Sequence, residues 1–113
     1  MIGVEIELGG KSRKLRYDFN AVADAEQKAG LGIGAMFDED RTGLHHVRLL
    51  IWAGLKWQER GLTVERTGQF IQDYIQSGGD LAELMDKVRE ALQQSGLIKF
   101  QEVDEGNPTV ETV

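Results

Sequence analysis

"VEIELGGKSRKLRY", residues 4–17, decides the fold class. Val4, Ile6 and Leu8 alternate with Glu5 and Glu7, the period of two that marks a strand with one face in the core. Gly9-Gly10 supplies a tight turn, after which Arg13, Leu15 and Tyr17 alternate with Lys14 and Arg16. The stretch reads as a β-hairpin with Val4, Ile6, Leu8, Leu15 and Tyr17 facing inward. On the outer face Glu5 and Glu7 are expected near Lys14 and Arg16, where opposite charges across a strand pair contribute about 0.2–1 kcal/mol. That pairing accounts for the basic cluster Lys11, Arg13, Lys14 and Arg16 without a phosphate-bearing partner.

Beyond the hairpin the periodic segments are helical. Asp18 or Asn20 caps a first helix that runs through "AVADAEQKA" to Gly30. "GLGIGAMFDEDRTG", residues 30–43, is expected to be a loop with one short turn around Ala35 to Phe37. A second helix is expected from Leu44 to Arg60, stopped by Gly61. Its middle, "LLIWA", is apolar on nearly every side, which suits a central helix touched from several directions. Thr63 caps a third helix, in which Val64, Gly68, Ile71 and Ile75 form one stripe with Phe70 and Tyr74 beside it, and Gly78-Gly79 ends it. Asp80 caps a fourth, with Glu83 in capping-box position. Leu81, Leu84, Met85, Val88 and Leu92 make its amphipathic stripe, closed by Gly96.

These segments predict an α+β fold, mostly α: an N-terminal hairpin packed on a bundle of about four helices. Residues 1–96 are expected to form this single domain and residues 97–113 an acidic, flexible tail, of which 97–103 could add a strand. Trp52, inside the apolar stretch, is expected to anchor the core under the hairpin or the fourth helix. Trp57 sits among Lys56, Gln58, Glu59 and Arg60, so it is either a lid on the core or an interface residue.

Composition narrows the chemistry. The 113 residues carry 13 Lys and Arg against 19 Asp and Glu, a formal charge of −6, and such a field repels nucleic acid and anionic lipid. The chain has no cysteine, so there is neither a disulfide nor a thiolate ligand. The apolar run Leu49 to Ala53 is too short to cross a bilayer. The chain is expected to be soluble.

Fragments that imitate functional motifs fail on their own chemistry. "DEDRTG" from Asp38 has an EF-hand opening, but the position of the bidentate Glu is Leu49. "GLGIG" has a helix where a dinucleotide fingerprint needs a strand. His45 and His46 are adjacent and point about 100° apart on a helix, unlike an i, i+4 metal pair. The third helix offers Arg66, Gln69, Asp73 and Gln76 outward, too little positive charge for a recognition helix. No nucleophile, base and oxyanion donors gather in the sequence. No catalytic, cofactor-binding or metal-ligating residue is therefore assigned, and the chain is not expected to be an enzyme.

The order of features is itself distinctive: "LRYDFNAVADAEQKAG", the glycine-broken link "LGIGAMF", then "LLIWAGL" and "GLTVERTGQFIQ". Over about residues 4–92 this resembles the small tail proteins encoded near the tape-measure gene in tailed phages and gene transfer agents, and in particular the tail assembly chaperone group. The resemblance implies a protein that binds and solubilises the tape-measure protein, helps to recruit tail-tube subunits, works in the host cytoplasm and is absent from the finished particle. No cofactor, nucleic acid or membrane partner is expected, and no site residue is carried over from the resemblance. A structural minor tail or tail-tube component is the alternative, and a small DNA-binding regulator a third. A chaperone of this kind needs an apolar or aromatic patch beside an acidic body. That patch is expected around Trp57, Phe70 and Tyr74, with the tail from Leu97 as a second candidate and self-association through the same surface.

Overall fold

The computed structural model describes residues 3–38 and 43–98. Strands β1 (Val4–Leu8) and β2 (Lys11–Leu15) pair antiparallel, with Val4 opposite Leu15 and Ile6 opposite Arg13. Gly9 and Gly10 turn the hairpin at φ of 62° and 81°, a region that side-chain-bearing residues avoid. Val4, Ile6, Leu8 and Leu15 are buried, and Tyr17, just beyond β2, is buried with them. Glu5 does stand opposite Lys14, but Glu7 faces Ser12, and Arg16 lies past the end of β2. Arg13 shares the inward parity of Leu15 and Tyr17 and is buried. Its partner is Glu59, so the outer-face explanation of the basic cluster does not extend to it.

Helix α1 (Phe19–Ala29) starts on Asp18, whose Oδ1 accepts from the Ala21 N–H at 2.8 Å, and ends at Gly30. It lays Ala21, Val22 and Ala25 on α2, and small side chains there allow close approach. A 3₁₀ turn follows at Ala35–Phe37, with Met36 fully buried. Helix α2 (Leu44–Leu55) opens with His46 Nδ1 accepting from the Gly43 N–H at 3.1 Å. From Leu49 to Leu55 every residue is buried, because α1, α3 (Val64–Gln76), α4 (Leu81–Ser95) and β2 all pack on this helix.

The hairpin meets α2 at Gly54. The Arg16 N–H donates to the Gly54 carbonyl at 2.9 Å, and a Cβ on Gly54 would lie 2.7 Å from Tyr17 Cζ. Tyr17 completes the joint by donating its hydroxyl to the Leu50 carbonyl. Trp52 is buried, but its neighbours are Lys28 of α1, Lys56 and the Leu62 carbonyl, which accepts from its indole N–H at 2.9 Å.

Helix α2 stops at Leu55, five residues before the expected Arg60. The cause is tertiary. At the free edge of β2, Lys14 turns its N–H and C=O outward; Gln58 Oε1 accepts from the first at 3.2 Å, and the Trp57 indole N–H donates to the second at 3.1 Å. Glu59 pairs with Arg13. Residues 56–62 are thus held against the hairpin edge as turns, a conformation that helix propensity alone does not favour.

Thr63 caps α3, its Oγ1 accepting from the Arg66 N–H at 3.0 Å. Asp80 caps α4 through the Ala82 N–H at 3.0 Å. The expected capping box with Glu83 is replaced, because the Tyr74 hydroxyl accepts from the Asp80 N–H and donates to the Asp80 carbonyl. Helix α4 buries Leu84, Val88, Ala91 and Leu92 against the hairpin and α2, and closes at Gly96. The expectations for residues 99–113, and most of the "DEDRTG" segment, lie outside the described residues.

Candidate functional site: an apolar groove between α2 and α3

The residues expected to form the docking patch do not come together on one open surface. Trp57 is half-buried against β2, with its indole N–H on Lys14 and the Arg16 guanidinium 5.2 Å from its ring. It is a lid on the hairpin edge. Phe70 is 7% exposed, sealed beneath the Arg13 guanidinium at 4.2 Å, with Arg66 at 5.4 Å. It is a core residue, and this corrects the expectation that it offers a surface. Tyr74 is half-buried, and its hydroxyl is used in joining α3 to the start of α4.

Apolar surface is open elsewhere. Leu44 is 75% exposed and Ile75 is 45% exposed. Both border a groove of about 400 Å³ between α2 and α3 that reaches Leu81 at the start of α4. Val47 and Arg48 form its α2 wall; Gly68, Ile71 and Ile75 form its α3 wall, with the neutral amides Gln72 and Gln76 beside them. Phe19, 73% exposed at the start of α1, and Leu97, just past the C-cap of α4, are the other large exposed apolar side chains among the described residues. Neither lines this groove.

The local sequence explains why the groove stays open. Helix α3 carries two adjacent apolar faces. Thr67, Phe70 and Ile71 turn inward, and the Thr67 hydroxyl is satisfied by the Thr63 carbonyl at 2.9 Å. Gly68 and Ile75 are left at the seam with α2. With no side chain on Gly68, the stem of Arg48 lies across it: a Cβ there would sit 3.0 Å from Arg48 Cδ. A larger residue would push this stem away and reshape the groove.

Arg48 is the charged feature of the site. One Nη lies 3.1 Å from His45 Nδ1, while Nε is enclosed without an acceptor. Among the described residues no carboxylate pairs with it. Leaving a buried donor unmade costs about 1–3 kcal/mol, so the packing on Gly68 holds Arg48 in place at some expense.

Perturbed titrations lie away from the groove. Burial pushes the Tyr17 phenol far above its ordinary value. The Arg13 hydrogen bond holds the Glu59 carboxyl below the usual glutamate range. Both belong to the hairpin joint. Among the described residues, no three of His, Asp and Glu gather as metal ligands, and no helix is long and apolar enough to cross a membrane. Of the two histidines, His46 caps α2 and His45 faces Arg48. What converges at the groove is aliphatic surface, two amides and one cation, an arrangement suited to binding.

No family model, curated protein or solved structure matches this chain.

Gly68, Ile71 and Ile75 share one stripe in the sequence, whereas composition points to the neighbouring aromatics as the surface. The signal that separates the two faces is the mid-helix glycine. A residue that costs helix stability relative to alanine marks the side where another chain segment comes close.

Proposed function

We propose that this chain is a non-enzymatic tail assembly chaperone of a tailed phage or prophage, which covers apolar helical stretches of the tape-measure protein and helps to recruit tail-tube subunits. The groove between α2 and α3 is the observation that supports this reading most, because it leaves Leu44 and Ile75 exposed beside Val47 and Ile71. Two helices flanking an apolar channel offer the ridges and groove into which a third helix packs. A tape-measure chain presents a long apolar helical surface, and a net charge of −6 helps its carrier to resist self-aggregation. In this reading the docking surface is the exposed Leu44 and Ile75 over a buried floor of Val47 and Ile71, and no longer Trp57, Phe70 and Tyr74. In this reading the protein acts in the host cytoplasm and leaves before the particle is complete.

The test is co-expression with a tape-measure protein from the same genome. The wild-type chain keeps that protein soluble and co-purifies with it, whereas Ile75→Asp, with an unchanged circular dichroism melt, loses it. Undiminished capture by Ile75→Asp and Leu44→Asp would show that the groove is not the docking surface. Mass spectrometry of purified tails separates this role from that of a structural tail subunit, which would be found in them.

A further inference from the structure

Resting on the reading of the groove as a helix-binding site, we infer that its occupant is an amphipathic helix carrying a carboxylate beside its apolar stripe, and that Arg48 selects it. The groove is aliphatic apart from Gln72, Gln76 and Arg48, so a bound helix must present apolar side chains to most of it. Arg48 introduces one positive charge at the end bordered by Gly68. That charge is fixed, since the stem packs on Gly68 and Nε is enclosed. It is also unneutralised, since His45 is its one hydrogen-bond contact and no carboxylate among the described residues reaches it. A guanidinium with free terminal N–H groups beside an apolar channel is complementary to a carboxylate, which it can hold through two parallel hydrogen bonds.

The spacing sets a register. Gly68, beside Arg48, and Ile75 are seven residues apart on α3, roughly 10 Å at about 1.5 Å per residue. A helix lying along the groove therefore places apolar residues at i, i+3 and i+4 against Ile75 and Ile71, and its carboxylate at i+7 against Arg48. A second copy of this chain is the poorer occupant, because a two-fold contact through so small a groove brings two unneutralised Arg48 side chains together. Nucleic acid is poorer still, because the groove is apolar and the chain is acidic.

The experiment uses the full chain and synthetic helical peptides, followed by fluorescence anisotropy. One peptide carries Leu at i, i+3 and i+4 with Glu at i+7. A second has the same composition with Glu moved from i+7 to i+5, about 160° around the helix. A third has Gln at i+7. The i+7 Glu peptide is expected to bind about tenfold more tightly than the other two at low salt, and Arg48→Met removes that preference while leaving the Gln affinity unchanged. Because the peptide comparison on the wild-type chain needs no protein variant, a poorly folded Arg48→Met does not spare the proposal. If all three peptides bind alike and Ile75→Asp abolishes them, the carboxylate selection is wrong and the helix-binding groove stands. If none binds, both readings fall. If none displaces a dimer that Ile75→Asp dissociates in light scattering, the occupant is a second copy and the proposal is overturned.

Discussion

Replacing Arg13 should loosen the hairpin from the helices and do so in a pH-dependent way. The guanidinium is buried: it donates to the Leu8 carbonyl, its Nε lies 2.5 Å from Glu59 Oε2, and it covers the ring of Phe70 at 4.2 Å. Its side chain is 5% exposed and that of Glu59 25%. Breaking a buried ion pair from one side costs about 3–5 kcal/mol, and the partial exposure of Glu59 pulls this toward the lower end. Loss of the cation over Phe70 adds about 0.5–1 kcal/mol. We expect Arg13→Ala to cost about 4 kcal/mol in urea unfolding, which at about 4 °C per kcal/mol lowers Tm by roughly 16 °C. Arg13→Lys keeps the charge but loses the fork and falls between the two.

Acid reduces the penalty without abolishing it, because the Leu8 and Phe70 contacts of Arg13 do not titrate. The hydrogen bond from Arg13 depresses the Glu59 pKa in the folded state, so the stability it contributes is present above the unfolded glutamate value and is lost as pH falls through the folded one. The Arg13→Ala penalty should therefore be full at pH 7 and smaller at pH 3. A double-mutant cycle with Glu59→Gln reads the coupling directly, and we expect about 1–2 kcal/mol at neutral pH. A penalty that is the same at pH 7 and pH 3, together with a coupling near zero, would refute the assignment of this pair as the clamp on the hairpin.

Gly54→Ala places a Cβ 2.7 Å from Tyr17 Cζ and 2.8 Å from Leu15 Cδ2, so it should destabilise by about 1–3 kcal/mol in thermal or urea melts. Tyr17→Phe leaves the Leu50 carbonyl without its hydroxyl donor and should cost about 1–2 kcal/mol. Because the folded Tyr17 pKa is raised above its ordinary value of 10.0, its contribution is complete below about pH 10 and is lost at higher pH. The wild type should therefore lose stability faster than Tyr17→Phe above that pH. Leu44→Ser, at an exposed position, should change stability by less than about 0.5 kcal/mol yet weaken helix-peptide binding in the anisotropy assay.

Much of this fold can be read directly from residue order. Strict alternation around Gly9-Gly10 gives the hairpin and its inward face, and the caps Asp18, Thr63 and Asp80 give three helix starts. Gly30 and Gly96 mark two helix ends. What could not be read depends on contacts between distant segments. The end of α2 is set by Lys14 and Arg13, more than 40 positions away, and local propensity carries no trace of them. On α3, Phe70 and Ile75 are both apolar and one face apart, so the packing of α2 and β1 decides which is buried. The aromatic was the natural choice for an interface residue by composition. It was instead needed beneath Arg13, and the aliphatic Ile75 was left outside.

The most direct measurement is site-specific photo-crosslinking in cells that make both this chain and the tape-measure protein. A photoreactive side chain is placed in turn at position 75, on the groove, and at position 19, the exposed start of α1. Adducts to the tape-measure protein from position 75, with none from position 19, are the result expected if helices dock between α2 and α3. Adducts from position 19 alone would contradict it.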